Sequence, residues 1–306
     1  MIRIAISVEA FWTNLRCYLK KVFLGEATMK AADLTVSTWS DLHNVLDDFA
    51  TAGWAFRGQA DANWPLESSL TRYLRAFVDP NIGWLGRERQ ILHAFKRKAH
   101  LLLPRTPEPS ETLEWLALMQ HHGAPTRLID FSWSPYVAAF FALERATADA
   151  AIWGIASNPQ VPNYQGFEIS VLLNEVPRLN DRSASKADSA ELCSGKDIPA
   201  VVIGEPVLMN QRMTTQVGTF AVPIARSDVA LENLVPPDSV FKLKLVTESL
   251  RKKSMERLHN MNLTNASLFP GVDGFARSLA YELEFKWKVD LEALERLRKA
   301  QGHDRV

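Results

Sequence analysis

The chain changes character once, near residue 150, and that change limits the folds open to it. Before it, apolar residues recur at helical spacing. After it, short β-rich runs follow one another at Ala151–Ala156, Ile169–Leu173, Ala200–Ile203, Val217–Ile224 and Val240–Val246. Helices first and strands later predict an α+β protein with an antiparallel sheet, not alternating units around a parallel one. The segment TWSDLHNVLDDFA opens on Thr38 with Asp41 three residues on, an imperfect capping pair, and carries Leu42, Val45, Leu46 and Phe49 on one helical face. RERQILHAFKRKAHLLL, from Arg87, does the same with Ile91, Leu92, Phe95 and Ala99. SETLEWLALMQHHG has Ser110 as its cap and Gly123 as its stop. SPYVAAFFALERA puts Ser134 at the cap and Pro135 at the first helical position, and its apolar first half predicts a buried helix. A last helical section starts near Thr247, breaks at NMNLTNASLFPGVDG and resumes from Phe275 to about Ala300.

Within this frame one arginine stands out. Trp54, Ala55 and Phe56 read as a short buried strand bounded by Gly53 and Gly58, which aims Arg57 at whatever lies beyond its end. A planar fork of fixed donors is best satisfied by a carboxylate or a phosphate, and Gly58 would let a ligand approach the backbone. Arg57 therefore reads as a phosphate grip or as half of a structural ion pair. The densest polar segment is QHHGAPTRLIDFSWSPYVAAFFAL, where His121 and His122 end one helix and a loop holding Thr126, Arg127, Asp130, Ser132 and Ser134 enters the buried one. Polar groups caught between apolar helices must face something polar, and a ligand is one candidate. The plainer alternative is that Ser134 caps, Asp130 pairs Arg127 and one histidine bonds a helix-end carbonyl. Adjacent helical histidines point about 100° apart, so this pair cannot readily grip one metal, and no metal site is expected. Nucleophile-elbow, P-loop and dinucleotide-fingerprint motifs are all missing from the sequence.

Composition closes off some classes of partner. Lysine plus arginine and aspartate plus glutamate number 35 each in 306 residues, so no global attraction to nucleic acid or membrane is implied. Locally, eight basic residues between Thr71 and Arg105 face only Asp79 and Glu88, and Arg87, Arg89, Arg97 and Lys98 could track phosphates or simply form a solvated helix flank. Cys17 and Cys193 give neither a disulfide framework nor a zinc cluster, and no signal peptide or membrane span is seen, which fits a reducing cytoplasm. The first 28 residues are either an extension upstream of a start at Met29 or an amphipathic helix. RLNDRSASKADSAELCSGKD reads as a surface loop or insertion.

Four stretches carry a resemblance. FRG at 56–58, QHHGAPTRLIDFSWSPYVAAFFA at 120–142, QRMTTQVGTFAV at 211–222 and SLFPGVDGFARSL at 267–279 resemble, in order, the landmarks of the FRG domain family of bacteria and their phages. The resemblance spans about residues 35–285, leaving 1–34 as an N-terminal extension and 286–306 as a C-terminal helix. The chain is also similar, more weakly, to arginine-type ADP-ribosyltransferases. In those an aromatic-Arg-Gly strand comes first, then a Ser-Thr-Ser strand running through a proline into an A-x-x-F-A helix, then a strand with a catalytic glutamate. That similarity implies a split antiparallel sheet with an N-terminal helical subdomain and C-terminal helices. It also implies NAD as substrate, Arg57 and Gly58 at its diphosphate, and Thr126, Arg127 and Ser132 beside it. The glutamate is missing between Pro206 and Leu231, where Gln216 stands among the residues offered instead. Asp130, His121 or His122 would then take its work, or the pocket would bind a nucleotide without turning it over. The expected function is transfer of ADP-ribose to a protein or nucleic acid, as a toxin or phage-defence effector with an antitoxin partner. The alternatives are a nucleotide-sensing module or an RNA-directed effector.

Overall fold

The computed structural model describes residues 34–50, 53–77, 84–157, 163–166, 168–170, 172–174, 200–224, 229–286 and 296. Both cysteines, the N-terminal extension up to residue 33, the 178–197 loop and nearly all of the expected C-terminal helix lie outside them. The strands are β1 (Leu34–Val36), β2 (Trp54–Gln59), β3 (Ile129–Ser132), β4 (Ala150–Ala156), β5 (Val201–Gly204), β6 (Gly218–Pro223) and β7 (Val240–Leu245). The helices are α1 (Trp39–Ala50), α2 (Ser69–Phe77), α3 (Trp84–Ala99), α4 (Thr112–His121), α5 (Pro135–Leu143), α6 (Gln211–Thr215), α7 (Thr247–Asn260), α8 (Asn265–Leu268) and α9 (Val272–Tyr281).

The strands form one open sheet in the order β1-β7-β4-β2-β3-β6-β5. Its pairings are antiparallel except β1 with β7, which is parallel. The sheet is nearly divided in the middle. β2 pairs with β4 from Trp54 to Gln59, and β3 pairs with β6 from Ile129 to Ser132, yet β2 and β3 share only Phe56 opposite Ser132.

Packing follows the same division, because side chains alternate between faces along each strand. Trp54 and Phe56 of β2 join Ile152 and Leu243 in a core closed by α1, α5 and α7. Farther along that face, Phe220 and Val222 meet Leu113, Leu116 and Met119 of α4, with Ile91, Leu92 and Phe95 of α3 against them. The opposite face, through Ala55, Phe131, Ile155 and Ile203, is covered by Leu66, Leu231 and Val235. The N-terminal helices are thus shared between two cores on the sheet and do not form a subdomain of their own.

Local signals explain most elements. Thr38 Oγ1 accepts the Asp41 amide at 3.2 Å, and Leu42, Val45, Leu46 and Phe49 are buried as the spacing predicts. Ser134 caps α5 by accepting the Val137 amide, with Pro135 at its first position. Gly123 takes φ +85° just beyond α4, but Ser110 does not cap that helix, whose N-cap position is Glu111. The predicted strand Ile169–Leu173 is helical where described, with Ile169 and Leu173 buried four residues apart against α4 and β6. Two β-branched or leucine residues at that spacing fit a helix face as well as a strand. Gln211–Thr215, which the ADP-ribosyltransferase resemblance would put on the glutamate-bearing strand, form α6, whose start is fixed by Asn210 accepting the Met213 amide. No helix among the described residues is long and apolar enough to cross a membrane.

Two positions generate tests of the packing. A Cβ on Gly58 would stand 2.0 Å from the Ala138 carbonyl oxygen and 2.5 Å from the Ala142 nitrogen, both backbone atoms of α5. Gly58 therefore makes room for α5 and not, as its sequence position suggested, for a ligand. Gly58→Ala is expected to cost about 3 kcal/mol or more, the upper range for overpacking, in denaturant unfolding. The second is Glu114, buried on α4. Burial raises its carboxyl above the ordinary range, partly offset by amide bonds from Val207 and Leu208. A carboxyl raised in the folded state contributes stability at low pH that is lost as pH rises through its folded value. Glu114→Gln, which can still accept from Val207, is expected to flatten that acid-side slope and raise stability at neutral pH, as read by unfolding at several pH values.

Candidate functional site

The gap between β2 and β3 must be bridged by something. Beyond Phe56, β2 has a partner on its β4 side only, and β3 is paired before Ser132 only with β6. Arg57 spans the opening: its Nη1 donates to the Asp130 carbonyl oxygen at 2.7 Å, a bond that a continued ladder would have supplied from backbone. The same nitrogen lies 3.9 Å from the Asp130 carboxylate. Its Nε is buried and has no hydrogen-bond partner among the described residues. Burial lowers the Arg57 pKa, Asp130 opposes that shift and the nearby Arg72 adds to it. A second guanidinium close to a partly unpaired one is an arrangement that an anion would relieve.

The gap opens into a cleft of about 660 Å³. Four arginines, Arg57, Arg72, Arg145 and Arg212, and two carboxylates, Asp130 and Glu144, line it, with Phe56, Phe131, Phe141 and Trp64 as apolar surface. A smaller cavity of about 150 Å³ adjoins it, sharing Arg57, Arg72 and Asp130 and lined also by Gln120 and Ser69. Asp130 is exposed, with its Oδ1 accepting from Gln120 Nε2 at 2.7 Å, and Gln120 accepts in turn from Thr126. Glu144 stands just past the C-terminal end of α5, is mostly buried, and accepts from Asn265 Nδ2 at 2.8 Å. A negative charge at a helix C-terminus is disfavoured by the macrodipole, so this carboxylate depends on its neighbours.

Each landmark stretch of the sequence reaches this place. The first supplies Arg57 and Gly58. The second supplies Asp130, Ser132, Ala138 and Phe141, and the third Arg212 and Gln216. The fourth acts from behind. The Leu268 carbonyl accepts from Thr215 Oγ1 and Gln216 Nε2, and the Phe269 ring lies under Arg212, 4.7 Å from its guanidinium carbon, and against Phe141. Between α6 and β6, Val217 is forced to φ +48°, an outlier for a β-branched residue, which turns the chain beside the cleft within two residues.

Several expected site residues take other work. Arg127 is buried and does not meet Asp130. Its Nε donates to Glu88 Oε2 at 2.7 Å and its Nη1 to the Ile224 carbonyl at 2.7 Å, so it ties α3 to the sheet and is closed to a ligand. Thr126 is fully buried, bonded to Gln120, Ser69 and the Leu128 amide, and its role is to position Gln120. Ser132 lines the cleft, but its hydroxyl donates to the Gln216 carbonyl at 2.7 Å and accepts the Ser134 amide at 3.0 Å. His121 and His122 lie exposed at the end of α4 with rings 78° apart and do not line the cleft. Desolvation, then His122 and Arg212, lower the His121 pKa. Arg87, Arg89, Arg97 and Lys98 do not share one face of α3. At about 100° per residue, Arg87 and Lys98 fall on one flank of the buried stripe, Arg89 falls beyond the other and Arg97 faces outward. Among the described residues, no group of three His, Cys, Asp or Glu could hold a metal ion.

Sequence reasoning missed Trp64, Arg72, Gln120, Glu144, Arg145 and Arg212 as members of one site. In sequence Arg72 belongs to the basic segment, and no local pattern marks Glu144. Only the alignment of β2 with α5, through Gly58, brings Glu144 and Arg145 to Arg57.

The chain is thus a mixed α/β protein with an arginine-lined cleft at the narrow point of an open sheet. Residues 52–151 match the model of the FRG domain, which supports the FRG resemblance over that stretch. That stretch runs from β2 to the start of β4 and holds Arg57, Asp130 and Glu144. No curated protein and no solved structure matches the chain.

The two ion pairs, Arg127 with Glu88 and Arg57 with Asp130, separate experimentally. Arg127→Ala leaves Glu88 buried without its ion-pair partner and is expected to cost about 3–5 kcal/mol in urea unfolding. Asp130→Asn, at an exposed position that keeps the Gln120 bond, is expected to change stability by about 0.5 kcal/mol or less.

Proposed function

We propose that the cleft binds NAD and that the protein transfers ADP-ribose from it to a macromolecular acceptor. The observation that carries this is the convergence of four guanidiniums and four aromatic side chains on one cleft at the β2–β3 gap. Guanidiniums match a diphosphate, aromatic surface matches the rings at its two ends, and the volume is within the usual range for such ligands.

The layout supports the transferase side. The arginine strand β2 touches the serine strand β3 at Phe56 and Ser132, and β3 runs through Pro135 into α5 with Ala138 and Ala142. The strand next to β3 is β6, in the place where the resembling enzymes carry a glutamate. This chain has none there, and its cleft carboxylates come from β3 and from the end of α5. Breaking the bond between ribose C1′ and the nicotinamide nitrogen leaves the electron pair on nicotinamide and positive charge on the ribose. Asp130 and Glu144 would stabilise that charge. The acceptor nucleophile then bonds C1′, and a carboxylate takes its proton.

Purified protein incubated with NAD and a cell lysate as acceptor source is expected to release nicotinamide. Asp130→Asn should lower turnover about a hundredfold while NAD affinity stays within a few fold. Arg57→Ala and Arg72→Ala should each weaken NAD binding by about 1.5–3 kcal/mol. Binding without any nicotinamide release would leave a nucleotide-sensing module, and no binding at all would refute both.

A further inference from the structure

We infer that Trp64 is the platform on which the nucleobase of the bound nucleotide stacks. Among the described residues many large apolar side chains are exposed, and of these only Trp64, at 54 % exposure, lines the cleft. Its neighbours are not loose. The Ala62 amide donates to the Asp149 carbonyl at 2.7 Å, and the Asn63 amide to Asp61 Oδ1 at 2.8 Å. The Trp64 amide donates to the Asp61 carbonyl at 3.2 Å, Gln59 Nε2 holds the Pro65 carbonyl at 3.2 Å, and the Leu66 amide reaches Glu232 Oε2 at 3.1 Å. Gln59 is fixed in turn by accepting from Trp153 Nε1 at 2.8 Å.

Five consecutive residues are therefore pinned through their backbones while the largest side chain among them stands in solvent. The backbone that carries the indole therefore loses little further freedom when a flat ring covers it, which is part of what preorganised recognition requires. The ligand class follows from what shares the cleft. Arg72 and Arg145 place positive charge in the same space, so the ring that fits carries an anionic tail. A base linked to phosphate meets both conditions, and a neutral aromatic metabolite meets only one.

This inference rests on the nucleotide reading above, and the test separates the two. Affinities of ADP-ribose, AMP, ribose 5-phosphate and inorganic pyrophosphate are measured calorimetrically for the wild type, Trp64→Ala, Trp64→Phe and Arg57→Ala, with melting temperature as a control for folding. Trp64→Ala is expected to weaken ADP-ribose and AMP about tenfold or more, with ribose 5-phosphate and pyrophosphate unchanged and Trp64→Phe within a few fold of the wild type. Equal weakening of all four ligands, or unchanged AMP affinity in Trp64→Ala, overturns the platform. If Arg57→Ala still weakens ADP-ribose and pyrophosphate in that case, the nucleotide reading stands alone. If the wild type binds none of the four, both fall together.

Discussion

One hydrogen bond, from Arg57 Nη1 to the Asp130 carbonyl, holds the two halves of the sheet together where the ladder between them stops. A sheet that simply ended there would leave strand edges exposed, and a continuous one would have no cleft. Replacing a backbone donor by a guanidinium solves both, because the long side chain keeps β2 and β3 apart while still satisfying an acceptor. The phosphate grip and the structural pair, read from sequence as alternatives, are compatible for this reason. Nη1 serves the fold, while the side chain, about one-fifth exposed, still lines the cleft.

Gly58 sets the third wall. With no side chain there, α5 approaches β2 closely enough that its last turn delivers Phe141, Glu144 and Arg145 to the end of the strand carrying Arg57. The fourth landmark stretch contributes no cleft-lining residue, yet through the Leu268 carbonyl and the Phe269 ring it fixes Gln216 and Arg212. Local sequence therefore specifies elements, and the cleft arises from contacts between elements far apart in the chain.

That distinction decides what was legible in the sequence. Helices α1 and α5 could be read with their caps and buried faces because their signals are local: Thr38 with Asp41, and Ser134 with Pro135. The mainly antiparallel sheet followed from element order, although the parallel pairing of the three-residue β1 did not. Arg127 and Arg57 could not be told apart, since each is an arginine beside apolar residues. Their roles depend on Glu88, thirty-nine positions from one of them, and on a strand gap that no local pattern encodes. Ile169–Leu173 failed differently, because apolar residues four apart satisfy a helix while their composition suggests a strand.

The balance of charge in the cleft ties these observations together. Four guanidiniums against two carboxylates leave a surplus of two positive charges, which suits a doubly charged diphosphate. The carboxylates also depend on the arginines. Glu144 lies where the α5 macrodipole opposes it and gains Asn265, with Arg145 at 3.7 Å, as compensation. Asp130 lies beside Arg57, whose own charge is disfavoured by burial and by Arg72. Each carboxylate in the cleft thus has one guanidinium within 4 Å, Arg57 for Asp130 and Arg145 for Glu144. A diphosphate entering this set would draw guanidinium contacts away from the carboxylates. Those carboxylates would then be left best satisfied by positive charge developing on the ligand itself.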